Sequence, residues 1–250
     1  MSITAVIPAR YASSRFPGKP LASILGKTMI QRVYERTAQA SCIDRVVVAT
    51  DDQRIVEEVL SFGGEVQMTR ADHATGTDRL AEVTARLDTE LVVNVQGDEP
   101  LIDPRMIEMA VAPLSEDSRI PMGTLKTPLL SWQEYHDPNV VKVATDRLGF
   151  ALYFSRASIP YPRDVNVDDP NVSPGSLGLF RHIGLYVYRR DFLLKFAQLP
   201  VTPLENLEKL EQLRALEHGY DIRVVETDLV SLGVDTPEDL ARVEAYLQAH

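Results

Sequence analysis

The chain is 250 residues long, 44% hydrophobic and 25% charged, enough for one large domain or one domain with an appended lobe around a substantial core. A formal charge of −10 argues against a nucleic-acid coat or an anionic membrane surface as partner, and no apolar run approaches the length of a membrane span. The single cysteine, Cys42, excludes an intramolecular disulfide; with no signal-type segment at the N-terminus, a cytoplasmic protein is expected.

The stretch from Ile3 to Leu21 begins as a buried strand of apolar and β-branched residues that breaks at Pro8. The loop that follows carries Arg10, Arg15 and Lys19 among Ser13, Ser14 and Gly18. In open α/β sheets ligands bind at the carboxyl ends of strands, so this loop is a candidate site for a polyanion such as a nucleoside triphosphate. Alone, it fits a solvated basic turn equally well.

Met29 to Ala40 has helical spacing, and Arg45 to Thr50 (RVVVAT) is a strand covered on both faces. Asp51 and Asp52 open a helix that ends at Gly63 and Gly64, and N-capping explains the acidic pair better than metal binding. Glu65 to Met68 makes a third strand. Helical spacing resumes from Thr77, placing Arg79 in a first turn where it can reach a ligand; His73 reads as a loop organiser. Leu91 to Val95 is a fourth strand and leads into Gln96-Gly97-Asp98-Glu99-Pro100.

Four alternations of strand and helix predict an α/β fold with a mostly parallel sheet flanked by helices. Asp98 then leaves the same sheet edge as the basic loop, where an acid beside a triphosphate would be a magnesium ligand.

From Pro128 the pattern changes. Val140 to Thr145 and Phe150 to Ser155 read as a hairpin, followed by an irregular Pro-rich stretch and the strand-like HIGLYVYRR. This middle third is expected to be an antiparallel elaboration carrying a second substrate site or a dimer contact. A single helix is expected over Pro203 to Glu217, with Glu211 and Arg214 inside its leucine arc and Glu205, Glu208 and Gln212 toward its polar side. A salt bridge and a ligand contact account equally well for Glu211. Thr236, Pro237 and Asp239 mark the start of a last helix; Asp235 lies just outside it and is a candidate second metal ligand.

The stretches IPARYASSRFPGKPL, ATDD, TRADHATGTDRL, VNVQGDEP, PNVVKV, ALYFSRASIPYPRD, HIGLYVYRRDFL, PLENLEKLEQLRALEHG and GVDTPEDL resemble, in order and spacing, the motifs of the bacterial 3-deoxy-manno-octulosonate cytidylyltransferase (CMP-Kdo synthetase) family. The likeness spans essentially the whole chain. It implies a Rossmann-like nucleotidyltransferase fold in a single domain. Residues 1–127 and 226–250 would bind nucleotide, and 128–225 would serve sugar binding and dimerisation. It also implies a reaction: CTP and the sugar acid Kdo give CMP-Kdo and pyrophosphate with magnesium, activating the sugar for lipopolysaccharide synthesis. A few altered pocket side chains would suit an amino-substituted Kdo or another 2-keto sugar acid instead.

By that resemblance Arg10, Ser13, Arg15 and Lys19 would hold the triphosphate, and Thr77 and Arg79 would bind the cytidine end. Asp98 and Asp235 would hold magnesium. Gln96, Arg156, His182, Tyr186, Glu211 and Gln212 would surround the sugar acid. A homodimer is expected. A glycosyltransferase on a similar fold is disfavoured because Gly-Asp-Glu stands where Asp-x-Asp would be needed. A non-catalytic nucleotide-binding module is disfavoured because the charged positions for transfer are filled.

Overall fold

Alternating strands and helices build one nine-stranded sheet, seen in a computed structural model that describes residues 1–12, 16–73, 75–167, 169 and 171–249. The chain opens with β1 (Ile3–Ala9), a two-stranded turn of β2 (Ser23–Ile24) and β3 (Lys27–Thr28), and α1 (Met29–Thr37). β4 (Arg45–Thr50), α2 (Gln53–Ser61), β5 (Val66–Met68), α3 (Gly76–Thr84), β6 (Leu91–Asn94) and α4 (Pro104–Glu116) follow. Next come β7 (Met122–Pro128), α5 (Trp132–His136), β8 (Lys142–Thr145), β9 (Ala151–Ser155) and β10 (Phe180–Arg189). The chain closes with α6 (Arg190–Phe196), α7 (Pro203–Glu208), α8 (Leu213–Glu217), β11 (Ile222–Glu226) and α9 (Pro237–Ala249).

Side-chain alternation explains the layering. Ala5 and Ile7 of β1 face one core, with Met29 and Val33 of α1, Ile55 of α2 and Ile107 of α4. Val6, between them, faces a second core with Leu80 and Val83 of α3, Phe192 and Phe196 of α6 and Leu213 of α8. A strand covered on both faces needs the unbroken apolar run that β1, β4 and β6 show. Helix starts are fixed by side-chain caps: Thr28 accepts from the Gln31 amide, Asp52 from Arg54, and Thr75 and Asp78 form a capping box.

The sheet order is β11-β7-β10-β6-β1-β4-β5. β6, β1, β4 and β5 run parallel, as expected from four βα alternations. β10 differs from its expected place outside the parallel sheet. It lies inside the main sheet, antiparallel to β6 on one side and to β7 on the other. Only β8 and β9 extend beyond it, joined through Arg181 and Lys142. β7 and β11, a parallel pair, carry no clear mark in the sequence. β7 reads MGTLKTP, in which glycine, lysine and proline dilute the strand signal, although its first six residues are buried.

The single helix expected over 203–217 is two helices. α7 ends at Lys209, whose φ of 53° is left-handed and stops the helix. Two leucines of the stripe, Leu204 and Leu207, consequently face solvent, whereas Leu210 and Leu213 are buried. Glu205 and Gln212 are also buried, against the expectation that they lie toward water.

Candidate active site

The carboxyl ends of β1 and β6 are adjacent strand ends, so the loops that leave them meet. The meeting is close. A Cβ on Gly97 would lie 2.8 Å from the backbone oxygen of Pro8, so only glycine lets the Asp98 loop pass against the end of β1. Arg10, Lys19, Gln96, Gly97 and Asp98 line an open groove of about 430 Å³ there, with Gly76 at the start of α3. A separate cavity of about 490 Å³, lined by Arg36, Leu101 and Tyr246, shares none of these side chains.

Within the groove the Lys19 ammonium donates to Asp98 Oδ2 at 2.7 Å, to the Val234 carbonyl at 2.9 Å and to Asp235 Oδ1 at 3.3 Å. Asp235 comes from the segment before α9, whose start is capped as expected: Asp239 accepts from the amides of Asp235 and Thr236. The two candidate metal ligands therefore converge on one cation. Arg10 donates to the carbonyls of His73 and Thr75 at 2.9 and 2.8 Å, pinning the first loop to the cap of α3. His73 in turn holds Glu82 at 2.5 Å, the loop-organising part expected of it. Ser13 and Arg15, expected beside Arg10, lie outside the described residues.

Arg79 is corrected. It is fully buried, with Nη2 on Asp51 at 2.8 Å and Nη1 on Thr69 Oγ1, so its guanidinium ties α3 to the ends of β4 and β5 and is closed to a ligand. Asp51 is thereby explained as its counter-ion, while Asp52 alone caps α2. Cys42 is half-buried, and burial pushes its thiol up to about 11, so it stays protonated at neutral pH.

Of the residues expected around the sugar acid, Gln96 lines the groove, Gln212 is buried, and Arg156, His182, Tyr186 and Glu211 stand in a wall of hydrogen bonds and ring contacts. Thr77 Oγ1 donates to Glu211 Oε2 at 2.5 Å, joining α3 to the loop between α7 and α8. Arg214 lies 3.5 Å from the other Glu211 oxygen, but its main partner is Glu205, held at 2.8 and 2.6 Å. Burial raises the Glu211 carboxyl, opposed by the hydrogen bonds from Thr77 and Thr75 and by the Arg214 charge. Gln96 donates to the Gly184 carbonyl at 3.2 Å, so the β6 loop touches β10.

On β10, His182 and Tyr186 have ring centroids 5.3 Å apart, on one face as their spacing implies. The register shift between Ile183 and Tyr186 sits between them. His182 also meets Thr124 Oγ1 at 2.9 Å and the Phe154 ring at 5.0 Å. Burial pushes its imidazole down to about 3. The Tyr186 phenol is raised, by burial first and the Glu211 charge second, so it remains a hydrogen-bond donor. Arg156 leaves β9 with Nε on the Glu208 carbonyl at 2.8 Å and Nη1 on the Pro138 carbonyl at 3.0 Å.

Glu208 joins this wall without any sign of it in the sequence. Its carboxylate accepts from Ser155 Oγ at 2.6 Å and from the Arg156 amide at 2.9 Å, fixing the Arg156 backbone. These partners lie more than fifty positions away, beyond the reach of any local pattern. Glu99 is a second addition. It is half-buried beside Asp98, and burial pushes its carboxyl up to about 7, with the charges of Asp98 and Asp235 adding to the rise.

Two outcomes are expected. Gly97→Ala forces the Asp98 loop off Pro8, so the melting temperature of the variant falls. For His182, the unfolded chain takes up a proton near pH 6.5 that the folded chain refuses until about 3. Its contribution is complete above pH 6.5 and is lost as pH falls toward about 3. Denaturant titrations of wild type and His182→Gln across this window should show the smaller acid loss in the variant.

A family model described as Cytidylyltransferase matches residues 4–222. The 3-deoxy-manno-octulosonate cytidylyltransferase of Syntrophotalea carbinolica is 84% identical over 248 residues, covering 99% of each chain. That of Geobacter metallireducens is 61% identical, covering 97% of this chain and 96% of the relative. A solved CMP:2-keto-3-deoxy-manno-octonic acid synthetase, complexed with CTP, superposes with a TM-score of 0.91 at 44% identity, covering 100% of this chain and 99% of the other. With relatives this similar over nearly its whole length, the chain belongs to the 3-deoxy-manno-octulosonate cytidylyltransferase family.

Proposed function

We propose that the protein transfers CMP from CTP to the anomeric hydroxyl of Kdo, releasing pyrophosphate. The observation that carries this reading is the convergence of Lys19, Asp98 and Asp235 at the carboxyl edge of the sheet, in a chain of this family. A triphosphate needs cations at that edge, and Arg10 and Lys19 supply them inside a protein whose net charge is −10. The alternative acceptor, an amino-substituted Kdo, is not favoured, because the relatives are named for Kdo itself.

The reaction is an in-line displacement: the anomeric oxygen bonds to the α-phosphorus as the bond to pyrophosphate breaks. The chain's part is to position both substrates and neutralise charge. Arg10 and Lys19 serve the triphosphate, the role that the family resemblance also gives Ser13 and Arg15. Thr77 serves the cytidine end, and Arg79 acts behind it by fixing α3. Arg156 offers a guanidinium, already anchored on two carbonyls, to the sugar carboxylate. His182, Tyr186, Glu211, Gln96 and Gln212 give the hydroxyls donors and acceptors. Because burial keeps His182 neutral and Tyr186 protonated, both act through hydrogen bonds without carrying charge.

Asp98 and Asp235 would hold magnesium. The fit is supported by their donor set, two hard carboxylate oxygens that both reach one cation within 3.3 Å. A magnesium held by two carboxylates would take its other ligands from phosphate and water. When bound, the ion neutralises phosphate charge and lowers the pKa of a coordinated hydroxyl.

A homodimer through the middle third is part of the proposal. Leu207 is 80% exposed and Leu152 64%, and β9, which carries Leu152, pairs only with β8 among the described residues. An open strand edge with exposed leucines suits a second copy of the chain. Among the described residues no helix is long and apolar enough to cross a membrane. Small polar substrates and a lone thiol suit a cytoplasmic enzyme.

Two measurements test these readings. A pyrophosphate-release assay crossing four nucleotides with a panel of sugar acids should select CTP and Kdo; Asp98→Asn and Lys19→Ala should each lower kcat by about 100-fold or more, with Lys19→Ala also lowering the melting temperature because Asp98 and Asp235 lose the ammonium between them. Full turnover in Asp98→Asn would remove the metal assignment. Sedimentation equilibrium should give a dimer that Leu152→Glu weakens, and a monomeric wild type would remove the dimer.

A further inference from the structure

The segment between β11 and α9, residues 227–236, delivers Asp235 to the groove from a distant part of the chain, and its own apolar anchoring is thin. Val234 is 1% exposed, but Val230 and Leu232 are 48% and 38% exposed. Val234 belongs to the main core and Leu229 packs against it, and polar bonds on either side of Val234 complete the placement of Asp235. On the helix side, Asp239 accepts from the Asp235 amide at 2.9 Å. On the sheet side, the Val234 amide donates to the Asp98 carbonyl at 2.9 Å, which ties the segment's backbone to the loop carrying the other candidate ligand.

Beside that bond, the Ser231 hydroxyl donates to Glu99 Oε2. The Gly233 backbone packs so closely on the same carboxyl that a Cβ there would lie 3.1 Å from Glu99 Oε1. Glu99 and Ser231 stand 132 positions apart in the chain, and neither is among the partners of Lys19, which among the described residues are Asp98, Val234 and Asp235. Their bond joins the two segments that carry the two carboxylates. Asp98 follows β6 and Asp235 precedes α9, so the Glu99–Ser231 bond constrains the separation of the two acids.

The geometry points to Glu99 and Ser231 as a positioning pair, a latch that sets the Asp98–Asp235 spacing for a divalent cation bound with the nucleotide. The inference rests on the assignment of Asp98 and Asp235 as the cation's ligands. Partners that orient ligands, without touching the ion, typically govern metal affinity by about 10- to 100-fold. The latch therefore acts on cation binding, and Ser231 and Glu99 remain positioning residues.

The test is direct titration of Mn²⁺ into the full-length protein with CTP present and no sugar acid, following free Mn²⁺ by electron paramagnetic resonance. Ser231→Ala and Glu99→Ala should each raise the Mn²⁺ dissociation constant by about tenfold. The double variant should be little weaker than either single one, because both remove the same bond. Ser231→Thr, which keeps the hydroxyl, should restore binding, and thermal unfolding of each variant checks that the fold is retained. Wild-type Mn²⁺ affinity in Ser231→Ala, alongside its loss in Asp98→Asn, would overturn the latch and leave the metal assignment standing. Unchanged affinity in Asp98→Asn and Asp235→Asn would overturn the metal assignment and the latch with it.

Discussion

The Lys19 ammonium holds together three parts of the chain that have no local reason to meet. It bonds to Asp98, 79 positions away, and to Val234 and Asp235, 215 and 216 positions away. Two carboxylates so near one another repel unless a cation stands between them. In the structure that cation is Lys19, itself placed by the short turn that follows Gly18. Gly18 adopts a φ of 73°, and a Cβ there would crowd the Tyr11 ring at 3.2 Å. The Tyr11 ring in turn lies under the Arg54 guanidinium, 3.3 Å from centroid to carbon. A glycine, an aromatic ring and a helix-borne arginine thus fix where one ammonium sits, and that ammonium fixes where the acids sit.

The second constraint is the placement of β10. Because it runs between β6 and β7, the residues expected around the sugar acid are strand neighbours of the nucleotide-side framework. Tyr186 is in register with Asn94 of β6 on one side and Thr124 of β7 on the other. Gln96 and Gly184 then meet across the strand ends, and Thr77 meets Glu211 from the helix layer. The two halves of the candidate site share a sheet and a hydrogen-bonded wall.

What the sequence made legible follows from how local each feature is. β1, β4 and β6 are largely apolar runs, and the caps at Asp52 and Thr236 lie within three residues of the amides they serve. Such features are visible in a short window. Asp98 and Asp235 could be proposed together because strand order places Asp98 at the ligand-binding edge and the last helix start leaves Asp235 without a capping role. The failures lie where distant partners decide. Arg79 occupies a first turn, as a ligand-binding arginine would, but Asp51 and Thr69 claim its guanidinium inside the protein. The leucine stripe over 203–217 gives no sign that Lys209 turns left-handed, or that Arg214 draws Glu205 inward. β10 carries a strand pattern, but its pairing with β6 and β7 is a long-range choice that periodicity does not encode.

The basic side chains around β8 and β9 show how the fold orders charge before any ligand arrives. Lys142 is fully buried, and burial lowers its pKa, yet its ammonium meets the carbonyls of Asp137, Val140 and Arg156. Three carbonyl oxygens satisfy three donors, so the charge is tolerated without a facing carboxylate. The same bonds draw the loop at Asp137 and Val140 toward the end of β9, beside the Pro138 carbonyl that holds Arg156. Arg156 is thereby fixed from two sides, by that carbonyl and by Glu208. A free surface arginine loses about 2 kcal/mol of rotamer freedom when it is ordered. For Arg156 most of that loss has already occurred on folding, so the proposed recognition of a sugar carboxylate would not have to supply it again.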